Sequence, residues 1–444
     1  MSKLKKIVEW LFYFYLFVLP WQTRLIWRDS ALNGDVFEYG RFSLYGSQIL
    51  FGAIIFLALF LLIKTKPLKL SQLGFSRWLK KIKNPPFLVY WLAVIFIFFA
   101  GLSIFWAVDR QIAYYRFIIL LQGGALMALV VSFNFDLKKI AYAFVGSGIV
   151  QGIFSVFQFV VQAVYANKWL GLANHFPNVG GSIILQTATE RWLRVYGSLP
   201  HPNVLAGFLV VSFLFLVYLS LTFSANKEKY FLLVGYLTIL PALFFSFCRS
   251  AWIALILCLL ILLVWILKNK QTLFKKRFLN SLLISVLVVG FLFLNLSSLV
   301  FSRINIDDNL EFNSIDLRLL YTRQALALIE QNPWQGVGLG NYTLGVFYNL
   351  DRQLPGYYYQ PVHNLYLLVF AELGIFGILI FAALIILLLY FGLKKINRLD
   401  WLICWLSLLA VLVISLFDHY FWSLEFGVMI FWLVIGMNIK FLKE

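Results

Sequence analysis

Apolar residues run along this chain rather than alternate. Stretches at roughly 7–23, 46–63, 87–106, 113–133, 140–163, 204–223, 230–247, 251–267, 281–300, 364–391, 401–417 and 423–440 are almost unbroken. Each is long enough to cross a hydrocarbon core as a helix. The pattern predicts an all-α polytopic membrane protein of about twelve spans, forming one integral domain over residues 1–444. Polar residues gather between the runs, most of them in two long connections on one side, residues 165–203 and 301–362. A modest segment at 23–45 is the only other sizeable one on that side. Long loops on a rigid helical scaffold are where sites are usually carried. Within the second loop, residues 314–330 repeat Leu317, Leu320, Tyr321, Leu328 and Ile329 at helical spacing, with Arg318 and Arg323 between them. That spacing predicts an amphipathic helix lying over the outer face of the bundle.

Composition agrees: at 62% hydrophobic and 13% charged residues, the chain has more apolar surface than a soluble core absorbs. The formal charge of +18 would suggest a nucleic-acid partner, but its placement argues against one. Of 22 lysines, only Lys168 falls outside the N-terminus and the segments 64–83, 136–139, 227–229, 268–277, 394–398 and 440–444. With an even number of spans these segments all share the side of the N-terminus. The positive-inside bias makes that side cytoplasmic and leaves both long loops outside. Cys248, Cys258 and Cys404 lack disulfide or metal spacing and read as small core residues. The basic start at Lys3, Lys5 and Lys6 leads into an apolar run with no small-residue cleavage site, so a retained first span is expected.

Chemistry is therefore sought on the outer face. His363 sits where the polar end of the second loop meets an apolar helix. Phe370, Gly374 and Gly377 would follow it on one helix face, where the glycines would admit a close neighbouring helix. In the first loop, Arg194 precedes His201, which lies between two prolines just before a span, with Asn203 placed to cap it. Either a rigid cap or a catalytic group fits that position. Arg249 stands at a tight turn before Ser250, a good cap, so a guanidinium and a helix N-terminus would converge there on an anion. Arg318, and Arg323 near it, would lie at the same depth, and guanidinium forks hold a diphosphate without a metal. No Asp, Glu and His at ligand spacing call for a metal or cofactor.

Other features are weaker. Gly336-Val-Gly-Leu-Gly-Asn, which includes Gly338 and Gly340, follows no βαβ pattern, so it reads as a tight turn and not a nucleotide loop. Tyr357, Tyr358 and Tyr359 offer either sugar-stacking faces or an interfacial belt. Asp418-His419 either supports the site or anchors a turn. Asp307, Asp308 and Glu311 read as solvated surface.

Together these residues resemble the O-antigen ligase and polymerase superfamily of bacterial glycosyltransferases. His363-Asn364, nine residues, Gly374, two residues and Gly377 is similar to the ligase signature, His then Asn, Ser or Gln, nine residues, Gly, two residues and Gly, Thr or Tyr. The segments 194–203, 247–252 and 332–342 support the match, and residues 190–380 carry most of it. The resemblance implies a class C glycosyltransferase-like fold. It also implies transfer of a glycan from an undecaprenyl-diphosphate carrier to a glycan, lipid or protein acceptor outside the cytoplasmic membrane. His363 would match the essential loop histidine, and Arg249 and Arg318 the diphosphate-binding arginines. Tyr321 stands where related sequences often have tryptophan.

Displacement at an anomeric carbon needs a group to take the hydroxyl proton and cations to stabilise the departing diphosphate. His363 and the arginines suit those roles, with inversion and without a metal. The same parts would also serve a polysaccharide polymerase or a protein O-oligosaccharyltransferase. A small-anion transporter is a rival from another class. Transporters usually show repeated halves and mid-membrane ionisable groups; here the intramembrane acids are few, chiefly Glu9, Glu372 and Glu425, and the halves do not resemble one another.

Overall fold

In lipid every backbone amide must be satisfied within its own segment, and the apolar runs accordingly fold as helices. The computed structural model describes residues 2–65, 84–187, 190–268, 271–303 and 309–443. Residues 66–83 and 269–270 of the basic segments, Asp307 and Asp308 lie outside the described residues, as does the Glu311 side chain.

Ten described helices are long and apolar enough to cross a membrane. They are α2 (Gly46–Thr65), α3 (Pro85–Leu102), α4 (Arg110–Ser132), α5 (Leu137–Val161), α6 (Pro202–Thr222), α7 (Asn226–Phe245), α8 (Arg249–Lys268), α9 (Thr272–Ser302), α12 (Leu365–Leu393) and α15 (Glu425–Lys443). The other two expected spans are shorter helices: α1 (Ser2–Val18) has 17 residues and α13 (Leu399–Ile414) has 16. Local chemistry starts several of them. Asp109 accepts from the amides of Gln111 and Ile112 at the head of α4, Asp136 accepts from Lys138 at α5, and prolines open α3 and α6.

Two helices form the centre. The apolar windows of α6 and α15 are entirely buried, whereas that of α9 is 6% buried and lies at the periphery. The amphipathic helix is α10 (Asn309–Gln331), with Tyr321, Ala325 and Leu328 turned inward against α12 and Arg323, Leu326 and Glu330 outward. A further short helix, α11 (Tyr342–Asn349), follows it. α14 (Tyr420–Ser423) is a single turn leading into α15.

The connections before α2 and before α6 also contain strands that the sequence pattern did not suggest. β1 (Arg24–Arg28) pairs with β4 (Phe42–Tyr45), β2 (Ala31–Leu32) with β3 (Asp35–Val36), and β5 (Ile184–Gln186) with β6 (Arg191–Leu193), all antiparallel. The β2–β3 hairpin turns at Asn33-Gly34, both at positive φ, as a two-residue hairpin turn requires. This hairpin docks on the second long loop: Asn33 Nδ2 donates to the carbonyls of Arg352 and Leu354, and the Gly356 amide to Asp35.

α12 is not one straight helix. Gly374, at φ 67° and ψ −169°, breaks it, and the backbone of residues 333–338 fills the gap. Val337 and Gly338 donate to the carbonyls of Ala371 and Glu372 at 3.0 and 2.9 Å, and Ile375 donates to Pro333 at 2.9 Å. The expected glycine seam beneath His363 is therefore corrected. A side chain at Gly374 would strike the Trp334 carbonyl, and one at Gly377 would strike Leu373 of the same helix, so the atoms nearest the two glycines belong to the 333–338 loop and to α12 itself.

Candidate active site

The site is assembled where helix N-termini meet. Asn364 caps α12, accepting from Tyr366 and Leu367 and donating to the Leu416 carbonyl, which fixes His363 just outside the helix. The His363 ring stacks on Tyr321 of α10 (centroids 5.8 Å apart, planes at 12°) and meets His419 edge to face at 5.2 Å. Its Nδ1 is buried and has no hydrogen-bond partner among the described residues. Burial holds the imidazole below its ordinary pKa; Asp418 opposes that shift and Arg318 adds to it.

Three of the four histidines converge here, and His175 lies apart, stacked on Tyr196. His201 itself caps α6, its Nδ1 accepting from the Asn203 amide, which corrects the expectation that Asn203 is the cap. The freed Asn203 side chain bridges instead. Its Oδ1 accepts from Arg194 at 2.8 Å, and its Nδ2 donates to Asp418 Oδ2 at 2.9 Å. The other oxygen of buried Asp418 accepts from the His419 amide. Burial presses His201 and His419 down to about 3, outweighing the opposing pull of Asp418, so both are neutral imidazoles beside one carboxylate. Burial penalises that carboxylate, yet its pKa lies below the usual range, through attraction to His419, His363 and His201 whenever one of them carries a proton and through the Asn203 hydrogen bond.

The arginines form a second group against the first. Arg194 is 5% exposed, and its Nε donates to the carbonyl of Ser246. Phe247, which follows, sits at φ 46°, an unusual backbone for a bulky side chain. This turn presents Arg249 as the first residue of α8, so Ser250 lies inside the helix and not at its cap. Arg249 donates to the carbonyl of Arg303, at the C-terminal end of α9. Burial and then the charges of Arg194 and Arg249 push the Arg303 guanidinium down to about 8, and Arg318 adds to the effect. Burial also lowers Arg194, with Arg249 and Arg318 contributing. The charges of Arg249 and Arg318 thus reach both Arg194 and Arg303, and that of Arg318 also reaches His363.

Arg323 does not join them. It is exposed and lies on another face of α10. Arg303 was not singled out from sequence; its only signal is an arginine at the C-terminal end of an apolar run.

The three glycines of the 336–340 turn, all at positive φ, each press on a different element. Added side chains would strike the Glu372 backbone at Gly336, Ala107 at Gly338 and Arg116 at Gly340. Gly336 and Gly340 therefore seat the turn on α12 and α4, Gly338 rests on the connection before α4, and Asn341 ties the turn to Asp109. The tyrosine run is divided: Tyr357 is exposed, whereas Tyr359 is buried and donates to the Asp351 carbonyl.

Residues 234–382 match the family described as O-antigen ligase. Over that stretch, about a third of the chain, the sequence is similar to the O-antigen ligase family. No curated protein matches the chain. The matched stretch contains Arg249, Arg303, Arg318, His363 and the α12 break. Arg194, His201, Asn203, Asp418 and His419 lie outside it yet complete the same cluster. The family match and the apolar helices together point to an integral membrane protein.

Proposed function

We propose that the chain transfers a glycan from an undecaprenyl-diphosphate carrier to an acceptor hydroxyl on the extracytoplasmic face of the cytoplasmic membrane. The observation that supports this is the shared position of Arg318, whose charge reaches both His363 and the Arg194–Arg303 pair. In this reading an imidazole and a set of guanidinium groups serve one reaction centre. In this reading His363 takes the proton of the attacking hydroxyl as the new bond forms at the anomeric carbon. The bond to the diphosphate oxygen breaks on the opposite side, giving inversion. Arg249 and Arg318, with Arg303, stabilise the departing charge, and the N-terminus of α8 adds its dipole.

Because a neutral, buried imidazole is a poor cation, the Asp418 carboxylate stabilises His363 as it gains a proton. Donor and membrane lipids would meet the chain at the outer ends of α8 and α9.

The test is transfer from purified lipid-linked glycan by the full chain and by His363→Ala. Loss of transfer with unchanged thermal unfolding is expected; transfer at the unsubstituted rate by a folded His363→Ala would end the proposal. Product length assigns the branch, since a ligase makes one joint per acceptor and a polymerase a ladder.

A further inference from the structure

Four hydrogen bonds run in series from the arginines to the histidines. The carbonyl of Ser246 accepts from Arg194 Nε at 2.7 Å, and Arg194 Nη2 donates to Asn203 Oδ1 at 2.8 Å. Asn203 Nδ2 donates in turn to Asp418 Oδ2 at 2.9 Å, and Asp418 Oδ1 accepts from the His419 amide at 2.8 Å. The first bond lies in the turn that presents Arg249. The last lies in the segment whose His419 ring meets His363.

Arg194 and Asp418 are each 5% exposed and opposite in charge, and the side chain between them is neutral. A guanidinium only donates and a carboxylate only accepts, so an amide, which does both, suits the position, and its orientation there follows. In direct contact the two charges would form a buried ion pair, each largely cancelling the other. Among the described residues they share no direct hydrogen bond; the amide gives both a partner and holds them apart. Its mounting is rigid. Asn203 stands in the first turn of α6, whose apolar window is entirely buried, and His201 Nδ1 accepts from its backbone amide, so the side chain is not spent on the cap.

Resting on the glycosyl-transfer reading, we infer that Asn203 is a positioning residue that sets Arg249 and His363 in one frame and, as a neutral bridge, keeps Arg194 and Asp418 from cancelling each other. Arg194 then braces the Arg249 turn without drawing on the carboxylate. The Asp418 charge stays directed at the imidazoles. Burial lowers the His363 pKa and Asp418 opposes that shift, so where the carboxylate is held decides how strong a base His363 is. The charged and titratable groups facing Asp418 are His201, His363, His419, Tyr39 and Tyr420. Those facing His363 are Asp418, Arg318, His201, His419 and Tyr321.

The experiment uses membrane vesicles carrying the full chain and the undecaprenyl-diphosphate-linked glycan purified from the cells that make it. Transfer is followed from pH 4 to 8, and thermal unfolding beside it, for the unsubstituted chain, Asn203→Leu, Asp418→Asn, the two combined, and the exchange Asn203→Asp with Asp418→Asn. Asn203→Leu, similar in shape but unable to bridge, should raise the donor KM about tenfold, the scale of a charged hydrogen bond, and move the acid limb of kcat/KM to lower pH. Added to Asp418→Asn it should move that limb no further, because it acts through the same carboxylate. The exchange keeps every hydrogen bond of the series but places the negative charge against Arg194. It should therefore unfold near the unsubstituted midpoint while its kcat stays no higher than that of Asp418→Asn. A folded Asn203→Leu with limb and donor KM unchanged overturns the inference while the transfer reading stands. So does an exchange variant that unfolds, or one that transfers at the unsubstituted rate, and the exchange alone decides the matter if Asn203→Leu does not fold. Absence of transfer by the unsubstituted chain overturns the transfer reading and this inference with it.

Discussion

The amide of Ile375 donates to the carbonyl of Pro333 at 2.9 Å, so a loop that precedes His363 supplies the hydrogen bond that α12 loses at its break. One interaction thereby sets both the loop and the helix carrying the signature glycines. Replacing Gly374, at φ 67°, with alanine places a side chain against the Trp334 carbonyl in a backbone region open almost only to glycine. Gly374→Ala should cost roughly 1–3 kcal/mol or more and lower transfer as well. Thermal unfolding in detergent checks this. Gly52→Ala, where an added side chain meets nothing, should leave the midpoint in place.

Asp418 should set the pH dependence of His363. Its charge raises the His363 pKa against burial, so Asp418→Asn lowers that pKa further. The imidazole becomes a weaker base: the maximal rate should fall and the acid limb of kcat/KM should move to lower pH. A limb that stays in place, measured from pH 4 to 8, would remove Asp418 from its assigned part.

Acid should destabilise the fold through His201 and His419. Both are held neutral to about 3, while an unfolded histidine takes up a proton near its ordinary pKa of about 6.5. The unfolded state then binds more protons between those values, so stability is complete above about pH 6.5 and declines as pH falls toward 3. The slope is at most about 1.4 kcal/mol per pH unit for each histidine. Unfolding midpoints for His419→Gln should fall less steeply with acid than those of the unsubstituted chain.

The two arginines of α10 should separate. Arg318→Ala removes a cation from the cluster and should weaken donor use by about ten- to hundredfold, the scale of a charged hydrogen bond. Arg323→Ala, on the exposed face, should stay within about twofold, since surface charges away from such features change little. Arg318→Lys should recover little if forked pairing with phosphate matters. Donor titrations of KM and kcat decide this, and Arg303→Ala should follow Arg318→Ala.

Spans, the amphipathic helix and the placement of His363 were legible because each depends on local order in the chain. An apolar run long enough for the bilayer must be helical, and a histidine at the end of such a run must sit near its mouth. The helix phase that separates Arg318 from Arg323 was less legible. Both lie in the same amphipathic stretch, and only the burial of Tyr321, Ala325 and Leu328 against the bundle fixes which one points inward. Arg303 went unnoticed because its significance comes from Arg194 and Arg249, both distant in sequence.

The sequence by itself determined a helical membrane protein with one chemically rich face and a histidine at its edge, since hydropathy and charge act on each segment independently. Tertiary structure alone decided that Asn203 bridges Arg194 to Asp418, that three histidines share one carboxylate, and that α12 breaks at Gly374. Those outcomes depend on groups brought together across the bundle, where burial makes an unpaired donor or charge costly and so selects a single arrangement.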